Sequence, residues 1–235
     1  MYGNLTGKEN KPLAVQDGRV LCPDQVECHT KKFIYSTDGF NLLKKFGDCK
    51  GTETQYFYQS GTNLLVRKLV LLKTYIKHRT FHHYNEDAVR TKIVEDDGSS
   101  LYEYSLASVT ERHIKRITPK MTLPGIGLPE VVEERSYNKQ AEIERLVKKI
   151  VNSYDDHCNL ISISTYDANN EKAFEEARSY NSCGQLVGKT DGAGNMTAYE
   201  VDIFGNCTSH SHNGITKRTQ YSFHDQPIKT DTEQF

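Results

Sequence analysis

Tryptophan is absent from this 235-residue chain, and so is any surplus of charge: 30 Lys+Arg face 31 Asp+Glu, for a net charge of -1. That balance argues against a general nucleic-acid binder, whose phosphate-facing surface needs a basic excess. No apolar run reaches the roughly 18 residues that a membrane-crossing helix requires, and charges interrupt the best stretch, NLLVRKLVLLKTYI (63–76). The opening MYGNLTGKENKPLAVQDG is polar and has no apolar export-signal core. Residues 1–32 lack a clear period and read as an irregular lead-in. The six cysteines form no C-x-x-C pair, so neither a zinc site nor a disulfide framework is expected. Free thiols are the reading, with a small Cys22–Cys28 loop disulfide as the alternative. Hydrophobic residues make up 36%, below the roughly 45–50% of globular domains. The core is therefore expected to be thin.

What the chain does have is tyrosine, 14 of them beside 9 Phe, set among regularly spaced turn residues. In SYNSCGQLVGKTDGAGNMTAYEVDIFGN (179–206), Tyr180 is followed by Gly184, Asp191, Gly194, Asn195, Thr197 and Tyr199, then by Asp202, Gly205 and Asn206. The alternation returns at Tyr221. IYSTDGFNLLKKFGDCKGTETQYFYQSGTN repeats the plan with Tyr35, Gly39, Tyr56 and Tyr58. HHYNEDAVRTKIVEDDGSSLYEY repeats it with Tyr84, Gly98, Tyr102 and Tyr104. Weaker starts stand at Tyr154-Asp155, where Cys158 takes the glycine position, and at Tyr166-Asp167, whose YDANNE has no glycine.

Each landmark has a local physical role. Tyr-x-Tyr places two side chains on one face of a strand. An Asp or Asn after the strand accepts a backbone N–H two residues on and starts an Asx turn. A glycine three residues later supplies the positive φ that closes a hairpin. Lone hairpins are marginal in water, so such units must stack side by side. The expectation is an all-β domain over 33–235, of four or five hairpins and about ten strands in one continuous curved or spiralling sheet. An irregular loop at 118–132, with three of the six prolines, interrupts it. Tyr56, Tyr58, Tyr102, Tyr104, Tyr199 and Tyr221 are expected to form an inner ladder of cross-strand aromatic pairs, or, as the alternative, to offer a sugar-stacking surface.

The pattern Y-N-S-C-G-Q-L followed by T-D-G-A-G-N-M-T-A-Y-E-V-D-I-F-G-N resembles the YD repeat of the RHS family, which is related to the teneurins and includes bacterial polymorphic-toxin shells. The resemblance runs from about Phe33 to Asp225. It implies an open arc of a hollow β-shell, without the D-P-x-G-rich closing core, that encloses a toxin cargo or presents a cell-surface or glycan-binding face. It also implies a secreted or cell-surface setting, and a further RHS chain is an expected partner. A truncated remnant without independent function is a further alternative.

The remaining motifs are weaker. KQAEIERLVKKIVNSY (139–154) has Ile143, Leu146, Val147, Ile150 and Val151 at helical spacing. The repeats around it favour a turn near NKQAE and a strand from about Leu146, with an amphipathic helix as the alternative. Cys207, His210 and His212 lack a suitably spaced fourth ligand, and His82 and His83 point to opposite faces of a strand. The carboxylates of EDDG (95–98) and YDD (154–156) read as turn residues, and DGAGN (191–195) leads into a strand where a phosphate loop needs a helix. No catalytic constellation, metal or cofactor is expected.

Overall fold

The computed structural model describes residues 7–10, 15–16, 19–20, 29–47 and 51–234, so Cys22, Cys28 and Cys49 lie outside the described residues. The described residues contain strands and turns and no α-helix. The strands are β1 (Gly7–Asn10), β2 (Val15–Gln16), β3 (Arg19–Val20), β4 (His29–Tyr35), β5 (Leu42–Phe46), β6 (Thr52–Tyr58), β7 (Leu65–Leu72), β8 (Tyr75–Tyr84), β9 (Arg90–Asp96) and β10 (Arg112–Pro119). They continue with β11 (Pro129–Asn138), β12 (Ile143–Tyr154), β13 (Leu160–Tyr166), β14 (Lys172–Tyr180), β15 (Leu186–Thr190), β16 (Met196–Val201), β17 (Cys207–His212), β18 (Ile215–Tyr221) and β19 (Pro227–Gln234). The all-β expectation is met, with sixteen strands, β4 to β19, among the described residues of a domain where about ten were expected.

The chain divides into two compact units. Unit 1 comprises residues 1–115 and 135–145; unit 2 comprises 116–134 and 146–235. In unit 1, β4 to β9 form an antiparallel meander in which each strand pairs with the next. β1 joins β4 antiparallel, and β2 and β3 form a separate small pair. In unit 2, β12 to β19 form a second meander of the same kind.

The 139–154 stretch is strand. Its backbone pairs with β13 from Lys149↔Tyr166 to Tyr154↔Leu160, and ladder hydrogen bonds decide what side-chain periodicity left open. The strand begins at Ile143, three residues before the expected Leu146, after a turn in which Asn138 Oδ1 accepts the Ala141 N–H at 3.0 Å. The Pro/Gly-rich interruption is shorter than 118–132: β10 runs to Pro119, β11 starts at Pro129, and Val132 is buried. The lead-in is likewise less irregular than expected, since Gly7–Asn10 pairs with His29–Lys32.

The two units differ in core. Unit 1 buries Leu69, Phe81, Val94, Val109 and Ile114, whereas the described residues of unit 2 bury one apolar side chain, Val132. Strands of unit 2 instead alternate between exposed and half-buried positions, as in β16. One five-residue loop recurs after the strand-closing Tyr or its counterpart, except after Tyr35 and Tyr58, whose loops 36–41 and 59–64 have six residues. In 191–195 the Asp191 N–H donates to Asn195 O, the Gly194 N–H donates to Asp191 O, and Asp191 Oδ1 accepts the N–H groups of Ala193 and Asn195. The same backbone bonds recur at 85–89, 155–159, 167–171, 181–185, 202–206 and 222–226. The fourth loop residue is left-handed in each. It is Gly194 at φ 85°, and elsewhere Ala88, Cys158, Asn170 or Asp225 accepts the conformation that glycine holds without strain.

Candidate functional site

The tyrosines that close strands act through their hydroxyls. Tyr58, Tyr84, Tyr154, Tyr180 and Tyr221 are each the last residue of a strand, and each donates its O–H to the carbonyl of the first residue of the preceding strand. The acceptors are Leu42, Leu65, Pro129, Leu160 and Cys207, at 3.0–3.1 Å. Each bond ties the end of one hairpin to the end of the one before it. At the corresponding position Val201 has no hydroxyl, and Gln185 Nε2 instead donates to Asp202 O at 3.3 Å. Asn206 Nδ2 continues the row of loops to Asp225 Oδ1 at 2.9 Å.

Of the expected ladder of aromatic pairs one cross-strand contact is present, Tyr199 on His210, and the hydroxyl bonds stand in place of the rest. Tyr56 faces Lys68, Tyr58 faces Leu65, Tyr199 faces His210 and Tyr221 faces Pro227. Tyr166 has no hydroxyl hydrogen bond among the described residues, and its ring lies under the Lys149 ammonium at 5.4 Å. Tyr35 closes β4, and Gly39 closes its loop by donating to Ser36 O. Asp155, Asp167, Asp191 and Asp202 cap their loops, as does Asn181. Gly184 and Gly205 occupy the left-handed position, Asn195 and Asn206 brace the capping carboxylates, and Thr197 Oγ1 meets His212 Nδ1 at 2.8 Å.

Gly98, Tyr102 and Tyr104 depart from the repeat. They belong to a strap, residues 97–111, that follows β9 and packs on the core face of unit 1. Its anchor is Arg79, fully buried in β8. The guanidinium pairs with Asp96 through Nε and, at 2.9 Å, through Nη2. Nη1 donates to the carbonyls of Ser100 and Tyr102 at 2.8 Å, and Nη2 donates to Ser105 O at 3.2 Å. All five guanidinium donors are thus used, which is how a buried charge becomes tolerable. Gly98 is required by proximity: a Cβ there would lie 2.5 Å from the guanidinium. Asp97 accepts from Thr110 and closes the strap on itself. The EDDG carboxylates therefore serve two unlike tasks, ion pair and strap closure.

At the outer end of the strap, Glu103 gathers cations. Its carboxylate meets His83 Nε2 at 2.6 Å, Lys92 Nζ at 2.8 Å and Arg112 Nη2 at 3.8 Å. Burial works to raise its pKa, but the Lys92 hydrogen bond and the neighbouring His83 and Lys92 charges outweigh it, and the carboxyl sits below its ordinary range. Beside this cluster lies an open groove of about 550 Å³, lined among others by Phe57, Arg67, His83, Tyr102, Glu103 and Tyr104. The Tyr102 and Tyr104 rings stack on each other at 5.4 Å and are 56% and 80% exposed. Arg67 lies 4.1 Å over the Phe57 ring and donates from Nη1 to Leu101 O at 2.7 Å. Sequence reasoning read Tyr102-x-Tyr104 as strand alternation; the Gly98-Ser99-Ser100 just before it was the available sign of a break.

The other chemical candidates do not converge. His212 bonds Thr197, His210 stacks on Tyr199, and the Cys207 thiol donates to Ser209 O. Among the described residues no group of three His, Cys, Asp or Glu is arranged to hold a metal. Cys158, Cys183 and Cys207 are free thiols.

No protein-family model matches the chain, and no curated protein matches it in sequence. Among solved structures, a chain of the TcdB2-TccC3-Cdc42 crystal structure is similar with a TM-score of 0.60 and 14% identity, over 96% of this chain and 12% of that one. Chains of the TcdB2-TccC3-TEV and TcdB2-TccC3 crystal structures are similar at TM-scores of 0.57 and 0.56, each with 15% identity over 94% of this chain. The chain spans roughly an eighth of the length of these neighbours, and the likeness is one of fold.

Proposed function

We propose that this chain is a stretch of wall in an RHS-type β-shell, a non-catalytic structural element that encloses a polypeptide cargo, such as a toxin, together with further RHS-repeat sheet. The observation that carries the reading is the hydroxyl latch. A tyrosine placed before a capped loop, bonded to the start of the preceding strand, lets hairpins be added one after another with the same end geometry. Such a device suits extended walls and serves no chemistry of its own. The fold likeness to TcdB2-TccC3 chains supports the reading, as does the resemblance of residues 179–206 to YD repeats. The groups that acid–base chemistry would recruit are already engaged: Asp96 by Arg79, Asp155 by Asn159, and Asp202 by Asn206.

The test is occlusion. The natural gene product that contains this chain, purified from its own cells and treated with protease, is expected to retain a second polypeptide that is cleaved only after denaturant opens the wall. A product with no protected polypeptide would overturn the wall reading. A second reading, display of a recognition surface, is favoured by the exposed Tyr102–Tyr104 pair; it gains if no cargo is found and the chain still binds cells.

A further inference from the structure

We propose that one loop rim of unit 2 binds the surface of a zwitterionic, phosphatidylcholine-type bilayer, with Ile203, Phe204 and Phe223 entering the interface. The inference stands on unit 2 alone and does not need the wall reading. Five loops at one end of its strands form a continuous row. Gly125 of the 120–128 loop lies against Cys158, where an added Cβ would come 3.3 Å from the thiol. Asn159 adjoins Gly184, Gln185 Nε2 reaches Asp202 O at 3.3 Å, and Asn206 Nδ2 reaches Asp225 Oδ1 at 2.9 Å. Leu123, Ile126, Ile203, Phe204 and Phe223 stand exposed along this row, the last three at 90%, 75% and 97%. Loop closure does not explain that choice, because 155–159 and 167–171 close by the same bonds with Asp156-His157 and Ala168-Asn169 at the tips. Large apolar side chains clustered in the open mark an interaction site.

The hydrogen bonding of the tips favours lipid over polypeptide. In 202–206 the N–H groups of Phe204, Gly205 and Asn206 are all spent on Asp202. In 222–226 those of His224, Asp225 and Gln226 are spent on Ser222. A polypeptide partner takes its register from such donors. A bilayer interface asks only for apolar surface whose polar groups are already satisfied. Charge then selects the headgroup. The five loops carry Asp155, Asp156, Asp202 and Asp225 against Lys120, with His157 and His224 beside them. The Lys120 ammonium is itself engaged, donating to Pro124 O at 2.6 Å. An anionic surface would be repelled by that excess of carboxylate. The trimethylammonium of choline is complementary to it, and to the ring faces of Phe204 and Phe223 as well.

The chain has no tryptophan, so Phe223→Trp supplies a single fluorescent reporter. With phosphatidylcholine vesicles its emission is expected to shift to the blue and to be quenched by lipids brominated along the acyl chain. Met196→Trp, at an exposed position on the opposite end of β16, should show neither effect. In flotation the parent chain is expected to rise with the same vesicles, no more strongly with phosphatidylserine added, and with little dependence on salt. Phe204→Ser combined with Phe223→Ser removes no side chain that closes a loop. It is expected to keep the melting midpoint and to weaken vesicle binding by at least about tenfold, while Met196→Ser leaves binding unchanged. No blue shift, binding that requires phosphatidylserine, or undiminished binding by the double variant would each overturn the proposal. So would self-association of the parent chain that the double variant abolishes, without vesicle binding, since the rim would then be a contact between copies. An empty wall in the occlusion experiment bears on the wall reading alone.

Discussion

The tyrosine hydroxyl is the smallest unit on which this fold depends. Tyr180 and Tyr166 both close a strand and precede a capped loop, yet only Tyr180 has an acceptor, Leu160 O at 3.0 Å. Tyr180→Phe is expected to cost about 1 kcal/mol in urea unfolding, the net worth of one such bond, while Tyr166→Phe should be near neutral. Equal effects would mean that these tyrosines act by ring packing after all. The left-handed loop position gives a second prediction. Ala88 holds φ 61°, a conformation costing a residue with a Cβ about 1–2 kcal/mol, part of which glycine returns through its freer unfolded chain. Ala88→Gly is expected to raise stability by about 0.5–1 kcal/mol, read as a shift in melting midpoint.

At the scale of elements, the strap is the least repeat-like segment and the most firmly anchored. Arg79→Leu would leave Asp96 buried with only Arg112 nearby, and removing one member of a buried pair costs about 3–5 kcal/mol. Proteolysis within 97–111 is the expected readout, faster by orders of magnitude than in the parent chain. Gly98→Ala should act in the same direction by pushing the guanidinium off Asp96, and normal protease resistance in both variants would show that the strap holds by other means. The β13–β14 hairpin gives a pH prediction. Hydrogen bonds from Lys172, Ser162 and Ser164 hold the Glu175 carboxyl down to about 2 from 4.5. Because the folded value is depressed, the contribution is present above pH 4.5 and is lost as pH falls through about 2. Asp155 and Asp191, lowered chiefly by Asn159 and Asn195, move in the same direction. Glu175→Gln should therefore be less stable than the parent at neutral pH, with the difference shrinking across that window in urea titrations. It will be modest, because solvent screens a half-exposed pair.

Over the whole molecule, stability should be uneven. Unit 1 buries Leu69, Phe81, Val94, Val109 and Ile114, with Phe81, Val94 and Ile114 in one cluster, while unit 2 relies on ladders, loop caps and half-buried faces. Local opening is cheapest where little apolar surface is buried. Amides of β7 to β9 are expected to exchange hydrogen for deuterium more slowly than those of β17 to β19, where β19 has every residue exposed. Uniform protection across both units would contradict the division. The same unevenness explains which parts of the fold were legible. The hairpin loops of 181–206 could be read because an Asx cap and a positive φ act within five residues. The acceptors of the tyrosine hydroxyls could not: they are backbone carbonyls 14 to 25 residues away, and a carbonyl has no sequence identity. Arg79 was equally silent, since nothing in YIKHRTFHHY distinguishes a buried arginine from a solvated one until the strap is laid over it.

Alternation, turn residues and the scarcity of apolar side chains settled by themselves that this is a chain of antiparallel hairpins with a thin core, because each of those signals works through bonds to near neighbours. Which tyrosines latch, which pair stands out from the surface, and where one arginine is sealed beneath a strap were decided only by the folded molecule. Those outcomes depend on which distant backbone and charge arrive beside a given side chain, and on what the packing leaves for water to reach.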